Sequence, residues 1–277
     1  MKKNTIVLIL LTLHYCCCLF PAAGAEAACR NPNLVLWADP YIHPVVVPAA
    51  VSSGFVEISW FGHAFFQFIT SSGTRIATDP FSRHVGYTIP EVWPHVVTVG
   101  RDSGNHNNVD LVKGEPLVLW GVKSWEDAWQ SVNTTFRDVL IYNVPIHTRA
   151  PHEFVKGASF VYEMDGMCVC HTGDIGEPFN EDQLDLIGHV DILLVPIGWS
   201  VTIGPETAKK VVEQLKPRIV IPMHYYNRTA LLQRFLDGSY PVRFLESNTF
   251  SVSRDTLPPA TEIYIPKVVW YGREDER

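Results

Sequence analysis

A chain of 277 residues, 47% hydrophobic and 18% charged, has room for one large domain or two small ones and is too apolar for wholesale disorder. A net charge of −7 leaves no basic footprint for nucleic acid and little attraction to anionic lipid. No internal repeat or heptad pattern interrupts the chain.

Lys2 and Lys3 precede an apolar run from Ile6 to Phe20, followed by the small residues of Pro21–Ala27. This is the pattern of a secretory signal peptide cut after Ala25 or Ala27. The apolar run, about 15 residues, is short of the roughly 20 that a spanning helix needs. Residues 1–27 are therefore read as signal. The mature chain is expected to be secreted or periplasmic, without membrane contact after cleavage. Cys29, Cys168 and Cys170 remain in it. Three is odd, so no disulfide framework is indicated. One bridge to Cys29 beside a free thiol stays open, against Cys168 and Cys170 as two buried small residues on one strand face.

Residues 28–54, with Pro32, Pro40, Pro44 and Pro48, read as an extended lead-in. Residues 55–277 read as one domain without a linker. Val56, Ile58 and Trp60 alternate with polar residues, which predicts a strand. Ala64–Ile69 and Arg75–Thr78 complete an antiparallel meander around the turn at Ser72-Gly73. Further strands are expected at Val96–Val99, Leu117–Trp120 and Val139–Val144. Ser159–Glu163 and Met167–His171 form a hairpin. Helices are expected at Glu181–Ile187 with Asn180 as N-cap, at Pro205–Leu215 with Pro217 just beyond, and at Thr229–Leu236. Strands Val190–Val195, Arg218–Pro222, Val242–Leu245 and Glu262–Ile265 complete the series. Early strands followed by strands mixed with helices imply sheets covered by helices.

Four chemistry-bearing residues follow strand ends. His106 ends the polar loop after Val96–Val99, and His147 follows Val139–Val144. Asp174 follows Met167–Cys170, and His224 follows Arg218–Pro222. Sheets place sites at such ends. Histidines with a carboxylate suit Zn, Fe or Mn.

Five stretches occur in order: Trp60-Phe61-Gly62-His63-Ala64, Thr78-Asp79-Pro80-Phe81, Asn107–Val112, His171-Thr172-Gly173-Asp174-Ile175-Gly176, and Gln214–Pro217 through Pro222-Met223-His224-Tyr225. In these, over roughly residues 55–250, the chain resembles the metallo-β-lactamase superfamily, in the branch of ascorbate-6-phosphate lactonase-like hydrolases. The resemblance implies an α/β protein, an αββα four-layer sandwich, with a metal site at one edge. The family motif His-x-His-x-Asp-His is degenerate here. Arg101 stands at its first His, Ser103 at its second and Asn105 at its Asp, and only His106 survives.

Carried over by position, the family's first metal would need positions 101 and 103, His147 and a bridging Asp174, so that site should be empty. The second would use Asn105, His106, Asp174 and His224. One divalent metal, Zn before Mn or Fe, is the resulting expectation. Arg101 could replace the missing cation's charge by pairing with Asp174, or hold an anionic group of a small-molecule substrate; the alternative is a solvated loop arginine. Asp174 and Arg101 are the catalytic candidates. His63, Asp79 and His171 are candidate supports: Asp79 to hydrogen-bond a ligand His, His171 to orient Asp174, His63 at the rim. Two functions follow: a metal-dependent hydrolase of an ester, lactone or phosphoester, or an inactive descendant of the same fold that binds a partner. A redox role for Cys168-x-Cys170 is weaker, since no Cys-x-x-Cys is present.

Overall fold

A computed structural model describes residues 29–30, 54–123, 127–149 and 154–268. The signal segment and most of the 28–54 lead-in lie outside the described residues. So does the C-terminal end of the domain read as 55–277. β1 (Val56–Gly62), β2 (Phe65–Ile69) and β3 (Arg75–Thr78) form the antiparallel meander. β4 (Val96–Val99) and β5 (Leu117–Trp120) then add in parallel. A two-stranded ribbon, β6 (Val122–Lys123) with β7 (Ala128–Trp129), leads to β8 (Asn133–Phe136). β9 (Val139–Arg149), β10 (Phe154–Met164) and β11 (Met167–His171) follow as antiparallel neighbours.

From there the chain changes to crossovers. Parallel strands cannot be joined by a tight turn, so a longer connection must cross the sheet. α1 (Glu181–Ile187) links β11 to β12 (Ile192–Pro196), and α2 (Pro205–Leu215) links β12 to β13 (Ile219–Met223). α1 starts on a capping box between Asn180 and Gln183. α2 has Pro205 in its first turn and buries Ala208, Val211 and Val212 along one stripe. α3 (Thr229–Phe235), β14 (Val242–Phe244), β15 (Thr249–Val252) and β16 (Glu262–Ile265) complete the fold.

The strands sort into a six-stranded sheet, β15-β1-β2-β3-β4-β5, and an eight-stranded sheet, β14-β16-β13-β12-β11-β10-β9-β8. One core lies between them, with Ile58, Trp60 and Phe66 from the first sheet and Phe160, Tyr162, Val169 and Leu194 from the second. The outer face of the first sheet buries Phe65, Ala77, Phe81 and Val97 under Tyr87 and Val112. Its cover among the described residues includes two single 3₁₀ turns, Arg83–Val85 and Val109–Leu111. Among the described residues the three α-helices all fall in the second half of the chain. The element pattern implied sheets with helices, the resemblance implied an α/β sandwich, and the structure is a mixed α/β fold of this kind with few helices.

Two strands run further than expected. β9 passes through Pro145 to Arg149, and β10 starts at Phe154. Proline lacks a ladder donor and fits only where its nitrogen faces no partner. Pro145 stands opposite Ala158, whose own N–H turns away from β9 to the Gly100 carbonyl at 2.8 Å. β8 pairs with β9 only as far as Tyr142, so the edge beside Pro145 is free of β8. The same Ala158–Gly100 bond ties the end of β4 to the second sheet.

Cys29 and Cys168 form a disulfide, and Cys170 is a buried free thiol. The expectation of Cys168 and Cys170 as two buried small residues thus holds for Cys170 alone, and Cys168 takes the bridge to Cys29 that the odd count of thiols had not indicated. The bridge anchors residue 29 to β11, and the His189 N–H donates to the Cys29 carbonyl at 2.8 Å. Among the described residues no helix is long and apolar enough to cross a membrane.

Candidate metal centre

Five loop positions at strand ends converge where the two sheets meet. β1 ends at Gly62, whose φ of +108° suits glycine, and a Cβ there would lie 2.3 Å from the Tyr87 ring. The tight turn presents His63. Asp79 follows β3, Arg101 and His106 lie in the loop after β4, Asp174 follows β11, and His224 follows β13. His63, Asp79 and His224 all sit in the left-handed region, at φ 52°, 40° and 60°. Each costs roughly 1–2 kcal/mol there, and such strain collects at functional sites.

One ring nitrogen from each of His63, His106 and His224 lies within 4.8 Å of the other two, and all three rings are buried. Asp174, also buried, joins them. Its Oδ2 lies 3.0 Å from His106 Nε2 and 2.6 Å from Arg101 Nη1, and its Oδ1 faces His224 Nε2 at 3.3 Å. Asp79 accepts the Gly100 N–H on Oδ1 at 2.6 Å and holds His106 Nδ1 on Oδ2 at 3.0 Å. That contact fixes the His106 ring and leaves its Nε2 turned to Asp174, the support a metal-binding imidazole needs. His171 donates from Nε2 to the Ala64 carbonyl at 2.9 Å, which steadies the turn carrying His63 rather than Asp174. Tyr226 places its hydroxyl 3.2 Å from His63 Nε2.

The structure does not bring Asn105 or His147 to this cluster. Asn105 is exposed and accepts from the Ser82 hydroxyl at 3.1 Å. His147 lies within β9, because that strand continues past Pro145 instead of ending before it. Its half-exposed side chain packs edge-on to Trp129 and lies 3.7 Å from a Glu177 oxygen. Asp102 accepts from Asn107. The sequence reading placed His63 at the rim; the structure places it in the centre. The one available signal was the His63 position beside a glycine turn after a strand, the same context as the other candidates.

The charges are settled by burial and by Asp174. Burial lowers His63 well below the usual imidazole value, with the neighbouring His224 and His106 adding to the effect. Burial likewise brings His224 down to about 4. For His106 burial also pulls downward, but the Asp174 charge and hydrogen bonds from Asp174 and Asp79 outweigh it and raise the ring to about 9. Burial pushes Asp174 upward, yet His106, His224 and Arg101 hold it well below the usual carboxylate range. At neutral pH the metal-free site therefore holds two neutral imidazoles, one imidazolium, one carboxylate and one guanidinium.

This donor set fits a divalent ion. His63 Nδ1 and Asp174 Oδ1 are buried without hydrogen bonds. Buried polar atoms are normally satisfied, so these two call for a partner. Three imidazoles and a carboxylate form a nitrogen-rich, four-donor set of the kind zinc takes.

The raised His106 value has a measurable consequence. Its pKa is higher folded than unfolded, so the protonated ring stabilises the metal-free protein below about pH 6.5 and loses that effect as pH rises through about 9. Thermal unfolding of chelator-treated protein is expected to show a midpoint that falls between about pH 7 and 9. A flat midpoint in a His106→Asn variant over that window would assign the slope to this ring. A wild-type midpoint that is itself flat would refute the assignment.

Residues 57–224 match the family described as the Beta-lactamase superfamily domain. A metal-dependent hydrolase of Thermococcus kodakarensis is 30% identical over 195 residues, spanning 61% of this chain and 84% of the relative. One of Pyrococcus abyssi is 29% identical over 193 residues, with the same shares. A crystal structure from Thermotoga maritima, of the metallo-β-lactamase superfamily, superposes with a TM-score of 0.60 at 32% identity. It covers 77% of this chain and 99% of the other. With most of the strands and every residue of the buried cluster inside the matched span, the chain belongs to the metallo-β-lactamase superfamily.

Proposed function

We propose that the protein is an exported hydrolase that works with one divalent ion, Zn before Mn or Fe, on a small ester, lactone or phosphoester. The observation that carries this reading is the buried cluster of His63, His106, His224 and Asp174, with its orphaned polar atoms. The Thermococcus and Pyrococcus relatives are described as metal-dependent hydrolases, and the Thermotoga protein as a candidate Zn-dependent one. The resemblance to ascorbate-6-phosphate lactonase-like enzymes favours a lactone or ester carrying an anionic group. A single ion is favoured because the Arg101 guanidinium already sits against Asp174.

A bound divalent ion would polarise the scissile oxygen and lower the pKa of a water molecule. The chain's own residues prepare that chemistry. Asp79 holds the His106 ring, and His171 and Tyr226 hold the His63 turn and ring. Arg101, partly exposed, is placed to turn guanidinium N–H groups to a carboxylate or phosphate on the substrate. Export is supported by the signal-like leader and by the Cys29–Cys168 bridge, since such bridges persist in oxidising compartments.

Elemental analysis of the mature protein, purified without added metal, tests the reading. About one equivalent per chain is expected, and His63→Ala should weaken Zn binding by at least about tenfold. No metal after soaking with Zn, Mn or Fe would overturn it. The second reading would then stand: a non-catalytic binding protein in which the Arg101–Asp174 pair has replaced the ion.

A further inference from the structure

β3 and β4 end at the candidate metal centre and begin, about 13 Å away along the strands, at a second and unrelated site. Here a cleft of about 430 Å³ is lined by Arg75, Trp93, His95, Lys113, Leu117 and Phe136, and Glu115 contributes one carboxylate to the same lining against the three cations. Three features set it apart from ordinary surface.

The first is charge. On a chain of net charge −7, Arg75, Arg137 and Lys113 gather at this end. Among the described residues none of the three forms an ion pair. The carboxylate next in sequence, Asp138, is engaged by the Thr74 hydroxyl instead.

The second is an unmet hydrogen-bonding demand. The Arg75 backbone N–H donates to His95 Nδ1 at 3.0 Å, which makes Nδ1 an acceptor and puts the proton of a neutral ring on Nε2. Arg75 Nη2 nevertheless lies 3.0 Å from that same Nε2, donor against donor. Arg137 Nη1 lies 3.3 and 3.4 Å from the two ring nitrogens. Two guanidinium groups thus converge on one imidazole that can accept from neither without losing its backbone bond. Burial first, then Arg75 and Arg137, depress the His95 pKa, so the ring does not settle the conflict by taking a proton. Water can accept from these exposed N–H groups but leaves both charges unpaired, whereas an anion answers donors and charges together.

The third is an apolar wall. Trp93 is 51% and Leu117 47% exposed, and Phe136 stacks on His95 beneath the Arg137 guanidinium. The frame is fixed: Arg75 Nε donates to the Trp93 carbonyl at 2.5 Å, and the backbone bonds His95 to Arg75 and Leu117 to His95 join the three strand starts.

We propose that this cleft binds a small aromatic anion, its acidic group set between Arg75 and Arg137 and its ring lying against Trp93 and Leu117. Bidentate guanidinium contacts select a planar or tetrahedral oxyanion, and the exposed indole adds stacking area. The site is separate from the metal centre and does not rest on the hydrolase reading.

Isothermal titration of the mature protein with 1-naphthalenesulfonate, which carries no hydrolysable ester bond, tests it. Saturable one-site binding is expected, weakened at least fivefold by Arg137→Gln and by Trp93→Ala, both at exposed positions where folding should be unaffected. Inorganic sulfate and neutral 2-naphthol should each bind at least tenfold more weakly. Absence of saturable binding at millimolar ligand would overturn the proposal. So would sulfate binding as tightly as the sulfonate. Binding that survives both variants but disappears in Arg101→Gln would place the anion at the metal centre and overturn it equally.

Discussion

Asp174→Asn is expected to strip the protein of its metal, lower turnover at least about a thousandfold, roughly 4 kcal/mol of barrier, and destabilise the metal-free fold. The substitution keeps shape and removes one negative charge. That charge is the partner of His106 at 3.0 Å and of Arg101 at 2.6 Å, and its oxygen faces His224 at 3.3 Å. Without it, two cationic groups face each other across a neutral amide in a buried site. Breaking one side of a buried ion pair costs about 3–5 kcal/mol; the partial exposure of Arg101 puts the expectation at the lower end. His106 would also lose its main support and return toward a neutral ring. Elemental analysis, an ester or lactone hydrolysis assay, and thermal unfolding with and without Zn would read the three effects in turn. A variant that keeps its metal and its turnover would remove Asp174 from the site's chemistry.

Cys29→Ser should produce the second large effect. The bridge to Cys168 closes a loop of 139 residues, and long loops gain the most from a cross-link in the chain-entropy account. A loss of about 2–5 kcal/mol is expected, which for a domain of this size lowers the unfolding midpoint by roughly 5–15 °C. Reductant should have the same effect on the wild type and none on the variant. Cys170→Ala removes a buried thiol but no bridge, and serves as the control. Equal midpoints for oxidised and reduced wild type would show that the bridge contributes nothing.

Much of the fold was legible because its strands are short and uniformly apolar. β12 and β13 bury every residue, and such runs stand out between turn signals. α2 announced itself through Pro205 at its start and Pro217 beyond its end. The short polar strand β8 did not, since Asn133–Phe136 carries little apolar signal and owes its place to pairing with β9. β15 was hidden for a different reason: its partner β1 is remote in sequence. The length of β9 was concealed by Pro145, which reads as a stop unless one knows that no neighbour needs its N–H.

The site divides in the same way. His106, Asp174 and His224 could be found because each follows an apolar strand. His147 satisfied that rule only on the assumption that its strand stopped at Val144, and the assumption failed with Pro145. His63 was undervalued because sequence spacing carries no dihedral information. A left-handed turn at φ 52° after Gly62 directs its ring inward, where an ordinary turn would have left it at the rim. Arg101 was legible as an odd residue, but only the folded distance decides between a solvated loop arginine and a buried carboxylate's partner.

The pairing of β1 with β15 has a consequence for how the molecule is made. Ser59 and Thr249, whose hydroxyls touch at 2.7 Å, lie 190 residues apart. At about 5–20 residues per second, a ribosome that has released β1 needs roughly ten to forty seconds to supply its neighbour. Throughout that interval the first strand of the domain presents an unpaired edge, a template for any extended chain nearby. Completion of the first sheet is therefore a late event, set by the last quarter of the chain, and the growing polypeptide depends on whatever shields that edge until the end arrives.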